Sequence, residues 1–324
     1  MTSHQDFSSN TFMKRRDFLK RTALLSAACL MGNQTLKAET GKAEVTKRFG
    51  LQVYGLGPEL GRDLPAGFKR LKELGYSTLE LAGYNNGSVA LFHDAIDLSD
   101  YQKMAADAGL EVLSSHVRPP IREYTEETLP QLREFWKQTA AGHARAGVKY
   151  LIQASIPNVR SVEAAQRVAQ AYTEAAQIAR EEGVQWAFHN EANVCSRVVP
   201  GGEESLFLLS GRYPQGARMI YDILLEDTDP VLVQVELDSM ALVIGGCDPV
   251  TYLRKFPQRI TLMHVKDYEN LGESGMINQE NIFRQFFANG QTDYFVEDEN
   301  AMSGKQFERI AAAADYLLNA PFVR

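Results

Sequence analysis

Four stretches in the second half of the chain set polar or ionisable residues two apart: His189-Asn190-Glu191, Glu236-Leu237-Asp238, His264-Val265-Lys266 and Glu297-Asp298-Glu299. Each follows an apolar, β-rich run. Residues two apart on a strand share a face, so each stretch offers two ionisable groups to one side. Glu80 and His116 end two earlier runs of this kind, and Gln153 ends a third. Strand interiors seldom tolerate ionisable groups unless these are paired or bind metal. A lone Glu80 or His116 reads equally well as a rim salt bridge or a hydrogen-bonded core histidine; eight such residues on four consecutive strand ends point to a site. Imidazole and carboxylate together suit one divalent ion such as Mn, Co, Zn, Fe or Mg. One ligand per stretch gives His189, Asp238, His264 and Glu297, with Glu191, Glu236 or Glu299 as acceptors that orient them. The competing reading is an internal ion-pair network that includes Lys266 and Arg118. The other histidines, His4, His93 and His143, read as signal, loop and helix-surface residues.

These residues need a scaffold that brings strand ends together. Strand candidates are Phe49–Tyr54, Thr78–Leu81, Glu111–His116, Tyr150–Ala154, Gln185–Asn190, Val231–Asp238, Ile260–Lys266 and Tyr294–Glu299. Between them lie helical patterns at Ala66–Leu74, Tyr101–Ala108, Glu126–Ala146, Ser161–Glu182, Ala217–Leu225, Asp248–Phe256, Asn281–Ala288 and Gly304–Leu318. Gly75, Gly109, Gly147 and Gly183 each follow a helical pattern and precede a short apolar run, as αβ loops require. Eight strand–helix repeats predict a single (β/α)8 barrel over residues 44–324. A doubly wound sheet would want a glycine-rich phosphate loop after its first strand. Gly55-Leu56-Gly57 is only a fragment of one, and no helix is expected directly after it. A barrel carries its chemistry at the C-terminal strand ends, where four adjacent strands curve around half the mouth.

The chain has 324 residues, 44% hydrophobic and 23% charged, an ordinary globular composition that excludes fibrous and disordered classes. Three cysteines make no disulfide framework. The charge is uneven: residues 1–43 hold seven basic and three acidic residues, so the formal -7 of the whole becomes -11 for the remainder. That acidity argues against nucleic acid, whose phosphates demand Lys and Arg. Lys14-Arg15-Arg16-Asp17-Phe18-Leu19-Lys20 precedes a small-residue apolar run from Thr22 to Gly32. The run is too short for a membrane span and has the length of a signal-peptide core. The paired arginines before Phe-Leu-Lys resemble a bacterial twin-arginine signal; the alternative is an amphipathic helix on a cytosolic protein. The resemblance implies passage through the twin-arginine export machinery to the periplasm, folded and often metal-loaded. Ala38 and Ala43 are candidate cleavage ends. Cys29 follows Ser26-Ala27-Ala28 with the Leu of a lipoprotein box one position early, which argues against a lipid anchor. Cleavage would leave Cys195 and Cys247, whose spacing does not say whether they pair. Oligomeric state is left open.

Taken in order, Leu79-Glu80-Leu81-Ala82-Gly83-Tyr84, Ser114-Ser115-His116-Val117, Phe188-His189-Asn190-Glu191, Val235-Glu236-Leu237-Asp238, Gly245-Gly246-Cys247-Asp248-Pro249, Met263-His264-Val265-Lys266-Asp267 and Phe295-Val296-Glu297-Asp298-Glu299 resemble the sugar phosphate isomerase/epimerase superfamily of xylose isomerase-like TIM barrels. The resemblance spans residues 47–320. It implies one divalent metal on four side chains from strands five to eight, with Asp238, His264 and Glu297 on the usual Asp, His and Glu positions. The fifth-strand ligand is usually Glu in a Glu-Asn-His triplet. Here the triplet is His189-Asn190-Glu191, which leaves open whether His189, Glu191 or neither coordinates; related sequences with His-Asn-His at this place make His189 the expected ligand and Glu191 the candidate base.

The implied chemistry is removal of a proton beside a sugar carbonyl, with the metal holding the developing enediolate. Glu191 or Glu297 would take the proton, His116 would be a second acid/base, and Lys266 would donate to an oxyanion or hydroxyl. Glu80, Gln153 and Glu236 are expected to contact the sugar. An exported protein meets few phosphorylated sugars, so the expected reaction is isomerisation or epimerisation of an unphosphorylated sugar or keto-glycoside. Cleavage of a 3-keto-glycoside by β-elimination is the close alternative. Val199-Pro200-Gly201-Gly202 reads as a surface turn rather than a ligand lid. A Schiff-base aldolase using Lys266, a three-metal nuclease and a non-catalytic carbohydrate-binding barrel are the competing classes.

Overall fold

The computed structural model of the protein describes residues 47–206, 213–268, 270–298 and 305–324. The export-signal reading of residues 1–43, and with it Cys29, lies outside the described residues, as do Glu299 and Gly304. Eight parallel strands form a closed barrel: β1 Gly50–Gln52, β2 Thr78–Leu81, β3 Glu111–Val117, β4 Tyr150–Gln153, β5 Gln185–His189, β6 Gln234–Asp238, β7 Ile260–Val265 and β8 Asp293–Val296. Each strand pairs with its neighbours in sequence, and β1 closes on β8. The helices that follow the strands are α1 Leu64–Glu73, α2 Leu98–Asp107, α3 Leu129–Ala146, α4 Val162–Glu181, α5 Ile220–Glu226, α6 Pro249–Lys255, α7 Gln279–Ala288 and α8 Gln306–Asn319. The expected (β/α)8 barrel is the observed fold. No helix among the described residues is long and apolar enough to cross a membrane.

Local chemistry explains the element ends. At α4 the Ser161 hydroxyl accepts the Ala164 N–H at 3.1 Å, satisfying one of the free donors of the first turn. That helix then buries Ala165, Val168, Ala169, Tyr172, Ala176 and Ala179 at helical spacing, a small-residue face that packs close to the barrel. α3 stops at Gly147, whose φ of +74° is the left-handed conformation glycine adopts without strain.

Several boundaries differ from the expected ones. β6 starts at Gln234 rather than Val231 because the Asp229 carboxylate accepts the N–H groups of Val231 and Leu232, making a turn. α5 starts at Ile220 because Arg218–Met219 pairs as a strand with Arg197–Val198. A one-turn helix, Gly57–Leu60, does follow Gly55-Leu56-Gly57 directly. His143 is not on the helix surface. It is fully buried in α3, where Nδ1 lies 2.7 Å from the Thr139 carbonyl and the ring packs on Tyr84.

The barrel interior is apolar at its base, where Leu113, Tyr150, Ile152, Ala187, Leu262 and Phe295 meet. Gly50 makes room for this plug: a Cβ there would lie 2.3 Å from the Phe295 ring. Ala187, Leu262 and Phe295 each sit two residues before His189, His264 and Glu297, so the polar residues stand on top of the plug. β2 and β3 reach the same arrangement through a register shift. Leu79 pairs with Val112 but Glu80 with Ser114, so Leu113 can join the plug while Ser114 bonds Glu80.

Candidate active site

At the C-terminal mouth, β5 to β8 converge as alternation requires. One donor atom from each of His189, Asp238, His264 and Glu297 lies within 4.8 Å of the others, close to the span of ligands about 2.1 Å from one ion. Asp238 also caps the helix Ser239–Ile244, its Oδ1 accepting the Ala241 N–H at 2.8 Å, which leaves Oδ2 turned to the cluster. Asn190 fixes the Asp238 backbone from both sides, accepting its N–H and donating to its carbonyl. Lys266 sets its ammonium 3.0 Å from Asp238 Oδ2 and 2.7 Å from Glu297 Oε2. His264 stands 2.8 Å from Glu297 through Nδ1 and 2.6 Å from Glu80 through Nε2.

His189 distinguishes a metal site from a finished ion-pair network. Both of its ring nitrogens are buried and neither has a hydrogen-bond partner. Its nearest ionic contact, Asp238 Oδ2, is 3.4 Å from Nε2, too far for a well-formed bond. A buried imidazole left without a bond is costly, and a divalent ion shared with Asp238 would satisfy it. The donors present fit such an ion.

The electrostatics favour a cation. Burial raises the affinity of Asp238 for its proton, but Lys266 and His189 outweigh it and hold the carboxyl at about 2. In Glu297 the same burial is outweighed by Lys266 and His264, which hold it well below the usual range. Beneath them, Glu80 and Glu236 form a fully buried pair. Burial and the neighbouring Glu80 push Glu236 well above the ordinary carboxylate range, whereas His116 and His264 overcome burial at Glu80 and keep it at about 2. Burial drives His116 down to about 3, so its imidazole is neutral near pH 7.

Two adjoining hollows of about 210 and 250 Å³ open over the cluster and share His116, Arg118, Ala154 and Glu297 in their walls. Glu191, Lys266 and Asp238 line one; Gln52, Tyr54 and Tyr84 line the other. His116, Glu191, Lys266 and Glu297, the residues expected to do acid–base work, all face this cleft. The residues expected to contact the sugar do not. Gln153 points to the helices, where its amide bonds Tyr124, Tyr172 and the Ser155 carbonyl. Ile152 faces the interior, so its neighbour cannot, and Ala154 takes the place at the mouth. Glu80 and Glu236 are 0% exposed. They sit beneath the ligand set as orienting partners, Glu80 on His264 and Glu236 on His116 at 2.7 Å. Sequence reasoning left out Gln52, which donates to Glu80, and did not give Arg118 a place in the site.

Comparison with known proteins agrees with this geometry. The family described as xylose isomerase-like TIM barrel matches residues 68–319.

The chain belongs to that family.

Two solved structures from Parabacteroides distasonis, each described as a sugar phosphate isomerase/epimerase, are 39% and 40% identical. The first match covers 87% of this chain and 97% of that one with a TM-score of 0.81. The second covers 86% and 100% with a TM-score of 0.78. An L-ribulose 3-epimerase structure, 16% identical over 83% of this chain and 92% of its own, shares the fold at a TM-score of 0.61. No curated protein matches the chain. The xylose isomerase-like barrel thus has sugar isomerases and epimerases as its structural neighbours, and a buried cluster of ligand type at the mouth where the fold carries its chemistry.

Proposed function

We propose that the protein is a divalent-metal-dependent enzyme that moves a proton beside the carbonyl of an unphosphorylated sugar or keto-glycoside. The observation that carries this reading is the buried, unbonded His189 imidazole set among Asp238, His264 and Glu297 at the floor of an open cleft. His189, Asp238, His264 and Glu297 would hold the ion, and Glu80 would orient His264 from behind. A bound divalent ion would polarise a carbonyl and stabilise the enediolate oxygens. The protein's own groups would do the rest. Glu191, half-buried in the cleft wall, or Glu297 would take the proton. Neutral His116, which lines the same hollow, would deliver or accept a second one. Lys266 would donate a hydrogen bond to the developing oxyanion. Tyr54 and Tyr84 give one wall an aromatic surface suited to the apolar face of a sugar ring. Lys266 is an ion-paired ammonium held by two carboxylates, not the desolvated amine that Schiff-base chemistry uses, which disfavours the aldolase reading.

An exported destination, proposed from the N-terminal segment, favours unphosphorylated substrates. The test is incubation of metal-loaded protein with free sugars and with 3-keto-glycosides in deuterated water. Deuterium entering the carbon beside the carbonyl supports the reading, and release of an aglycone assigns the lyase outcome. Ligand binding without exchange or turnover under every metal, unchanged in His264→Ala, would leave a carbohydrate-binding barrel instead.

A further inference from the structure

Arg118 stands in the cleft without a part in the proton chemistry. It follows Val117, the last residue of β3, and precedes Pro119-Pro120. A residue before proline is held extended, so the alternation of β3 runs on past its end and puts Arg118 on the face of His116, two positions earlier. The adjacent strand runs on in step, the Ala154 N–H donating to the Val117 carbonyl at 3.0 Å. Arg118 and Ala154 both line the two hollows, one holding Asp238 and Lys266 and the other walled by Tyr54 and Tyr84.

Arg118 is exposed, and among the described residues no hydrogen bond, ion pair or ring contact engages it. The carboxylates that share its hollow do not answer it. Asp238 and Glu297 give oxygens to Lys266 at 3.0 and 2.7 Å, and Glu191 has the Asn193 amide at 3.5 Å. A guanidinium offers a planar fork of donors that matches a carboxylate or a phosphate with two parallel bonds. A cation left without a counter-charge in the wall of a cleft, in a chain whose formal charge is -7, suits a charge brought in from outside.

We propose that Arg118 is a specificity residue that selects an anionic sugar by pairing with its acid group. The assignment rests on the reading of the cleft as a sugar site and narrows its substrate class. An exported destination favours a carboxylate, as in a uronic acid or its keto form, over a phosphate. Because Arg118 borders both hollows, the acid group lies at their junction.

The full chain, loaded with Mn, is titrated calorimetrically with hexuronates, hexose 6-phosphates and neutral hexoses, and each sugar is followed for deuterium exchange. Wild type is expected to bind an anionic class about 10- to 100-fold more tightly than the neutral sugars. Preference for the uronates assigns the carboxylate; preference for the 6-phosphates assigns the phosphate. Arg118→Gln is expected to bring the anionic sugar down to the level of its neutral counterpart, with the loss in KM more than in kcat. Arg118→Lys, which keeps the charge without the fork, falls between. Wild type that binds neutral sugars as tightly as anionic ones overturns the assignment, as does folded Arg118→Gln that keeps the preference. An anionic preference without exchange upholds the assignment but contradicts the proton-transfer reading, and failure to bind any of the sugars overturns both.

Discussion

Lys266 shows how much a single side chain decides at this site. Its ammonium already occupies the oxygens of Asp238 and Glu297 that a divalent ion would share. If its role is to stabilise developing negative charge, Lys266→Met keeps the ion but lowers kcat about 100-fold with little change in metal content. Steady-state kinetics beside elemental analysis separates the two effects. His143 offers a pH test away from the cluster. Burial holds its folded-state pKa at about 4, against 6.5 in the unfolded chain. Between those values the unfolded state takes up a proton that the folded state refuses, so stability falls as pH drops from 6.5 towards 4. The full loss is about 3 kcal/mol. Urea unfolding at pH 7 and pH 4.5 should show much of that slope vanish in His143→Asn, which can still donate to the Thr139 carbonyl.

At the scale of elements, caps and alternation do the positioning. Ser161→Ala removes the acceptor for the Ala164 N–H and should cost about 1 kcal/mol in chemical denaturation, since α4 is otherwise held by its alanine-rich face. The same simple rules explain what could be read from the chain. His189, Asp238, His264 and Glu297 were legible because each ends an apolar run; His189, His264 and Glu297 also share a face with a residue of the plug two positions earlier, and Asp238 with Glu236. Gln153 was misread because the face was judged at the strand's end; Ile152, pointing inward, puts Gln153 outside. Glu80 and Glu236 were legible as inward-facing, but not their depth, because each sits at a register irregularity, β2 against β3 and β6 against β7, that has no local sequence signal. The two-residue strands Tyr84–Asn85, Ser88–Val89 and Ile96–Asp97 were missed because so short a strand has no periodicity to detect. His143 escaped because its burial comes from Tyr84 on such a strand, a tertiary contact with no local signal.

For the whole molecule, the barrel explains why an acidic chain gathers ionised carboxylates in its interior. The plug seals the base, the strands fix the spacing, and the cleft opens only at the mouth, where opposite charges are within reach of one another and of a ligand. An ion that binds this folded site and not the unfolded chain must also stabilise the fold. The central claim is that His189, Asp238, His264 and Glu297 form one metal site. Elemental analysis of chelator-stripped protein re-equilibrated with Mn, Co, Zn, Fe or Mg tests it most directly. About one tightly held divalent ion per chain, lost in folded His189→Ala and Asp238→Ala, is the predicted result. A folded wild type that retains none of these ions, or variants that retain the ion as well as the wild type, would contradict the account.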